Sequence, residues 1–197
     1  QGVPIHTGVS LKDALTRSID PYFSGMTGRQ EQVSLFLEEM NISGDKRLLD
    51  LTQQEKQLLN SRLILYLLKR HLRPETVRST MSDRFFIPSL NMYVDELADI
   101  MDSCGRRHAP DIGISIGWGR MDLFPLGRGK YEEYNSDVLA ELMRLESAPP
   151  ERLEHVQYFY SQCENTGGTV AGIGIRYLFD PEVPVVSITV RKKDINI

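Results

Sequence analysis

The sequence predicts an α/β fold: a helical N-terminal bridging segment over residues 1–84, then a mixed α/β lobe with a central sheet over residues 85–197. Three observations predict it. Residues 10–72 carry capped stretches with apolar residues at a helical period. Ile112, Ile114, Ile116 and Trp118 alternate with Gly113, Ser115, Gly117 and Gly119, the period of a strand whose alternate positions are small. Two further short apolar runs, 156–160 and 185–190, bracket a glycine-led helical pattern. Helices first, then strand, helix, strand, helix, strand, put the boundary between the two parts near residues 80–92.

Taken in order, Ser10 is positioned to cap a short helix carrying Leu11, Ala14 and Leu15, which stops before Asp20-Pro21. Thr27 with Gln30 makes a capping-box pattern ahead of Val33, Phe36, Leu37 and Met40. Thr52 with Glu55 makes a second, ahead of a leucine-rich helix that ends before Pro74 and whose apolar density predicts burial on more than one face. Phe85-Phe86-Ile87-Pro88 suits a short strand. From Asn91 a helix follows with Val94, Leu97, Ala98 and Met101 on one face, ending near Cys104-Gly105. After the predicted strand at 112–118 come an acidic helix over 131–145, a break at Pro149-Pro150, a strand over 156–160, a helix from Gly167-Gly168 through Leu178, and a strand over 185–190.

Composition narrows the function classes. The 197 residues include 41% hydrophobic and 25% charged side chains with a formal net charge of −4, which excludes wholesale disorder and fibrous architectures. Cys104 and Cys163 are too few for a disulfide framework, so a reducing, cytoplasmic compartment is the simplest expectation. No apolar run approaches the ~20 residues that cross a bilayer, and no membrane partner is expected. Gln1-Gly2-Val3-Pro4-Ile5 has neither an initiator Met nor a signal-peptide build, which reads as an internal start.

Catalytic motifs fail one by one. His6, His71, His108 and His155 are isolated from one another, and Cys104 with His108 supplies only two ligands, so no metal site is predicted. The glycines from Gly167 to Gly174 miss the dinucleotide spacing, because Tyr177 stands where the last small residue belongs. Gly127-Arg128-Gly129-Lys130 runs into Tyr131 and is no phosphate-binding P-loop. No nucleophilic triad is assembled. What remains is charge. Residues 62–84 hold six Lys or Arg against two carboxylates, residues 104–130 hold five against two, and residues 131–155 hold seven carboxylates against two arginines. Segregation of this kind is what a groove that follows a phosphate backbone requires, although an ordinary solvated mixture accounts for it as well. Residues 165–169, at a helix N-terminus, are suited to present backbone N–H groups to an anion.

Several stretches resemble one family in order and spacing. Ser18-Ile19-Asp20-Pro21-Tyr22-Phe23, Gly25-Met26-Thr27-Gly28 and Phe36-Leu37-Glu38-Glu39-Met40-Asn41-Ile42 resemble the bridging segment of archaeal RecJ-like DHH phosphoesterases. Asp102-Ser103-Cys104-Gly105-Arg106 resembles the family's Asn-Ala-Cys-Gly-Arg element, from which Asp102 and Ser103 depart. Residues 112–117, 156–160, 169–173 and 184–188 are similar to successive strands and a helix of its DHH-associated domain, a lobe that here stops before the family's glycine-rich Gly-Gly-His element.

The resemblance implies the C-terminal, non-catalytic portion of a protein that, when complete, hydrolyses single-stranded DNA or RNA as a metal-dependent exonuclease. It also leaves room for a non-enzymatic scaffold that binds the GINS complex in the replicative helicase assembly, or for a small-nucleotide phosphodiesterase. Mn or Mg is expected in the complete protein. No Asp-His-His is present, so this chain is expected to carry no metal, no cofactor and no catalytic residue. Within the matched motif only Arg106 has an implied substrate role, gripping phosphate from the turn after its helix; capping that helix is the equal alternative. Arg107 and Arg120 from the same basic stretch, and Thr169 from the helix N-terminus, complete the candidate phosphate-binding set.

Overall fold

The computed structural model describes residues 2–70, 72–81, 83–163 and 165–189. His71 and Val190, the predicted end of the last strand, lie outside the described residues. The fold is α/β.

Four helices come first: α1 (Leu11–Thr16), α2 (Gln30–Glu38), α3 (Gln53–Lys69) and α4 (Pro74–Thr80). Ser10 caps α1, its hydroxyl accepting from the Asp13 N–H at 3.1 Å, and Thr52 with Glu55 forms the expected capping box at α3. The expected box at α2 does not form. Thr27 is fully buried and spends its hydroxyl on the preceding turn, accepting from the Phe23 N–H and donating to the Ser18 carbonyl, so Arg29 stands at the N-cap with no side-chain capping bond. A tertiary demand on the hydroxyl outcompetes the local one. The leucines of α3 also divide differently from expectation. Leu59, Leu63 and Leu67, at i, i+4 and i+8, are buried, whereas Leu58, Leu65 and Leu68 face solvent. Only one face of α3 meets the core.

A small antiparallel hairpin, β1 (Phe86–Ile87) with β2 (Met92–Tyr93), leads into α5 (Val94–Arg106). Next comes α6 (Pro110–Gly117), where the sequence predicts a strand. The glycine alternation has a second reading, because positions two apart include positions four apart. Gly113 and Gly117 share one helical face and press against α5: a Cβ at Gly113 would lie 2.8 Å from the Met101 carbonyl oxygen, and one at Gly117 would lie 2.7 Å from Met101 Cε. Pro110 in the first helical turn starts the helix with a preset φ. Small residues at i, i+4 thus serve close helix packing rather than a sheet.

The long α7 (Phe124–Ser147) follows, then β3 (Glu151–Arg152), β4 (Gln157–Ser161), α8 (Gly167–Tyr177) and β5 (Val185–Thr189). The three strands form one sheet in the order β3-β4-β5, antiparallel at β3-β4 and parallel at β4-β5, with Tyr158 opposite Val186. A parallel pair needs a crossover, and α8 supplies it. Gly174 lets that helix sit down on its own exit: a Cβ there would lie 2.0 Å from Phe179 Cε2. One apolar cluster unites the helices on either side of residue 84, joining Leu15, Phe23, Leu37 and Leu63 to Val138, Leu142, Phe159 and Val170.

Candidate functional site

One face of α5 carries Asp95, Asp99, Asp102 and Arg106, spaced so that each is one turn from the next. This face lines a cleft of about 550 Å³. Residues 4–6 and the end of α1, Tyr131 and Tyr134 of α7, and one face of α8 from Gly168 and Thr169 to Arg176 complete the walls.

Arg106 lies in the last turn of α5, and Arg107 is the C-cap, so the helix runs one residue beyond the expected turn. The Arg106 Nε donates to Asp102 Oδ2 at 2.7 Å, and its guanidinium stands 5.7 Å from the centroid of the Tyr134 ring. Tyr134 in turn shares a 2.6 Å hydrogen bond with the Thr169 hydroxyl. Two of the sequence candidates, Arg106 and Thr169, therefore meet in one cleft across Tyr134. Asn165 donates to the Arg106 carbonyl at 3.1 Å, filling one of the acceptors that a helix C-terminus leaves open. Arg106 itself caps no carbonyl.

The other two candidates sit elsewhere. Arg107 also stacks near Tyr134, at 5.8 Å, but its guanidinium is engaged with Asp137 and with the Glu133 carbonyl of α7, and it does not line the cleft. Arg120 is exposed outside the cleft and chelated by Asp122 at 2.7 and 2.9 Å.

Electrostatically the cleft is mixed. Arg17, Arg84, Arg106 and Arg176 face Asp20, Asp95, Glu96, Asp99 and Asp102, so carboxylates outnumber guanidiniums by one. Arg176 pairs with Asp20 at 2.8 Å and Arg84 with Asp95 and Glu96. The two basic stretches of the sequence do not converge here: of their members only Arg84 and Arg106 line the cleft, both neutralised in place. Arg17 and Asp99 have no ion-pair partner among the described residues. Asp99 opens onto solvent yet is enclosed by the cleft walls. That enclosure, helped by the nearby charges of Asp95, Asp20 and Asp102 against the opposing pull of His6, pushes its carboxyl up to about 6.

Along the cleft wall runs a polar chain that the sequence does not announce. Tyr131 Oη is 2.5 Å from His6 Nε2, His6 Nδ1 is 3.4 Å from Glu96 Oε2, and Glu96 accepts from the Thr7 backbone N–H and hydroxyl. Burial alone would raise the Glu96 carboxyl, but hydrogen bonds from His6 and Thr7 outweigh it and hold the group below the usual carboxylate range. Burial pushes the Tyr131 phenol well above its ordinary value, reinforced by Asp99 and Glu96. Of the cleft's charged groups only Arg106 is a candidate from sequence; the acidic stripe of α5 was not foreseen, and Arg17, Arg176 and Tyr134 come from other elements and leave no local signal.

Among the described residues no three His, Cys, Asp or Glu side chains come together as a metal centre. No helix among them is long and apolar enough to cross a membrane. No protein-family model matches the chain, and no curated protein matches it.

Proposed function

We propose that the chain is the strand-holding, non-catalytic portion of a RecJ-like DHH phosphoesterase, and that its cleft takes a phosphate of single-stranded DNA or RNA between Arg106 and the first turn of α8. One observation carries the reading: Arg106, Tyr134 and Thr169, from three different helices, meet at the N-terminal end of α8. That end bears a partial positive charge, and Gly168 is open to an approaching group, since a Cβ there would meet nothing within 4 Å. Both Arg106 and Asp102 are exposed, so their pair is worth at most about 1 kcal/mol and is cheaply exchanged for a phosphate. The hydrogen bond it donates to Asp102 raises the Arg106 guanidinium further above its ordinary value, so it is charged at every working pH.

Mn or Mg chemistry in the complete protein would belong to its DHH domain. The residues described here do not group into a centre for such an ion, and no step of hydrolysis is assigned to them. The isolated chain should therefore hold single strands weakly, with affinity falling steeply as salt rises, and should not cut them. Fluorescence anisotropy with labelled oligothymidine across a salt series tests the first part; chelator-sensitive cleavage by highly purified chain in Mn or Mg would refute the second.

A scaffold role, with GINS as the partner the resemblance implies, has one observation of its own. Trp118 at the end of α6 is 85% exposed, with Ile114 one turn before it and Leu126 in the first turn of α7 also open to solvent. Loss of GINS capture by Trp118→Ala, with oligothymidine binding retained, would favour that role.

A further inference from the structure

A groove of about 410 Å³ runs between α2 and α3, lined in part by the core residues Met26 and Met40, and takes no part in the cleft. Its walls are two matching stripes. Gln32, Leu35 and Phe36 on α2 with its C-cap Glu39, and Arg62, Leu65, Tyr66 and Lys69 on α3, are each spaced i, i+3, i+4, i+7, one face of a helix in both cases. Phe36 and Tyr66 meet edge to face at 5.8 Å and close the floor. Leu35, 53% exposed, and Leu65, 48% exposed, stand on opposite walls. The α3 wall is basic: Arg62, Lys69 and Arg70 line it, and Glu39 is the acidic residue facing them.

We propose that this groove is the docking site for an acidic amphipathic helix of a partner protein. Two helical stripes side by side leave room for a third helix whose apolar residues fall between Leu35 and Leu65, the helix-in-groove mode of recognition. Charge complementarity fixes the chemistry. Arg62 and Lys69 have no ion-pair or hydrogen-bond partner among the described residues and sit one heptad apart, about 10.5 Å along the axis. A docked helix with carboxylates two turns apart along one edge meets both. A nucleic acid fits the groove less well, because its exposed apolar surface is aliphatic: the Tyr66 ring already carries Arg70 at 5.2 Å and is edged by Phe23 and Phe36. The inference does not depend on the phosphate-binding reading, which uses other residues.

The test is fluorescence anisotropy on the full chain with a labelled, stapled helical peptide bearing one leucine stripe edged by glutamates. Controls are the same peptide with lysine for each glutamate, and labelled oligothymidine. The glutamate peptide should bind, the lysine peptide should not, and Arg62→Glu with Lys69→Glu should weaken binding by at least about tenfold, since two rim pairs become two repulsions. Leu35→Asp should also abolish it. All three positions are exposed, so melting temperatures should be unchanged; the milder Arg62→Gln with Lys69→Gln serves if the reversals unfold the chain, and should weaken binding in the same direction. No binding of the glutamate peptide, equal binding of the lysine peptide, or binding indifferent to Arg62 and Lys69 overturns the proposal. So does oligothymidine binding that is lost in the Arg62/Lys69 double variant while peptide binding stays absent, or a chain dimer that Leu35→Asp dissolves.

Discussion

Arg84 ties Ile5 to two carboxylates of α5, and Arg84→Ala should expose how much that link contributes. Its side chain is only 8% exposed, and it donates to Asp95 from Nε at 3.0 Å and from Nη2 at 2.6 Å, to Glu96 from Nη2 at 3.2 Å, and to the Ile5 carbonyl from Nη1 at 3.1 Å. The guanidinium also lies 3.9 Å from the centroid of the Tyr93 ring. Asp95 is 41% exposed and rehydrates when the arginine is removed, but Glu96 is 4% exposed and does not. Breaking a buried pair from one side costs about 3 to 5 kcal/mol. Because Glu96 keeps its bonds from Thr7, the lower end applies, about 3 kcal/mol, or a melting-temperature drop of about 6 to 12 °C for a domain of this size. Urea denaturation of the variant gives the loss directly. The buried charge left behind is the larger part of it, so adding Glu96→Gln to Arg84→Ala should restore some stability. A loss under about 1 kcal/mol, or a double variant that is simply the sum of the singles, would refute the reasoning.

Three further outcomes are expected. Asp99 has its folded carboxyl raised from 3.8 to about 6, so the stability it supports is present in full below the unfolded value and is lost as pH rises through about 6; Asp99→Asn should raise the melting temperature at pH 7.5 and not at pH 4, by under about 1 kcal/mol because the group is accessible, and a gain independent of pH would refute it. Gly174→Ala should cost about 1 to 3 kcal/mol by overpacking Phe179, whereas Gly172→Ala on the same helix, with nothing within 4 Å, should stabilise by about 0.5 to 1 kcal/mol; thermal melts of the pair compare them. In the complete protein, Arg106→Ala should weaken single-strand binding by about 1.5 to 3 kcal/mol while leaving the melting temperature nearly unchanged; a stability loss without a binding loss would remove Arg106 from the site.

Much of the fold was legible because its signals are local. Ser10 and Thr52 cap their helices in the structure as their side-chain chemistry predicts, and the β4-α8-β5 crossover follows from two apolar runs around a glycine-led helix. Thr27 shows where legibility stops: the same pattern that caps α3 fails at α2, because a residue buried by the preceding turn gives its hydroxyl to Phe23 and Ser18. The leucines of α3 could be counted, but which of them meet the core depended on where α3 lies against its neighbours.

Sequence alone determined the α/β class and the order of the larger helices and strands outside residues 110–117, though not α4, β2 or β3, and it put Arg106 one residue past the end of a helix whose last turn in fact contains it. Each follows from chemistry within a few residues: capping, periodicity and breakers. Tertiary structure alone decided the rest. Whether Gly113 and Gly117 served a strand or a helix depended on Met101 of α5, its carbonyl at Gly113 and its side chain at Gly117, coming within reach, which no window over residues 110–119 contains. The cleft likewise joins Arg106, Tyr134 and Thr169 from helices far apart in the chain, and neutralises Arg106 and Arg84 with carboxylates of α5. Charge segregation along a sequence predicts a charged face only where the fold keeps it apart in space, and here one helix stripe carries both signs into the same cleft.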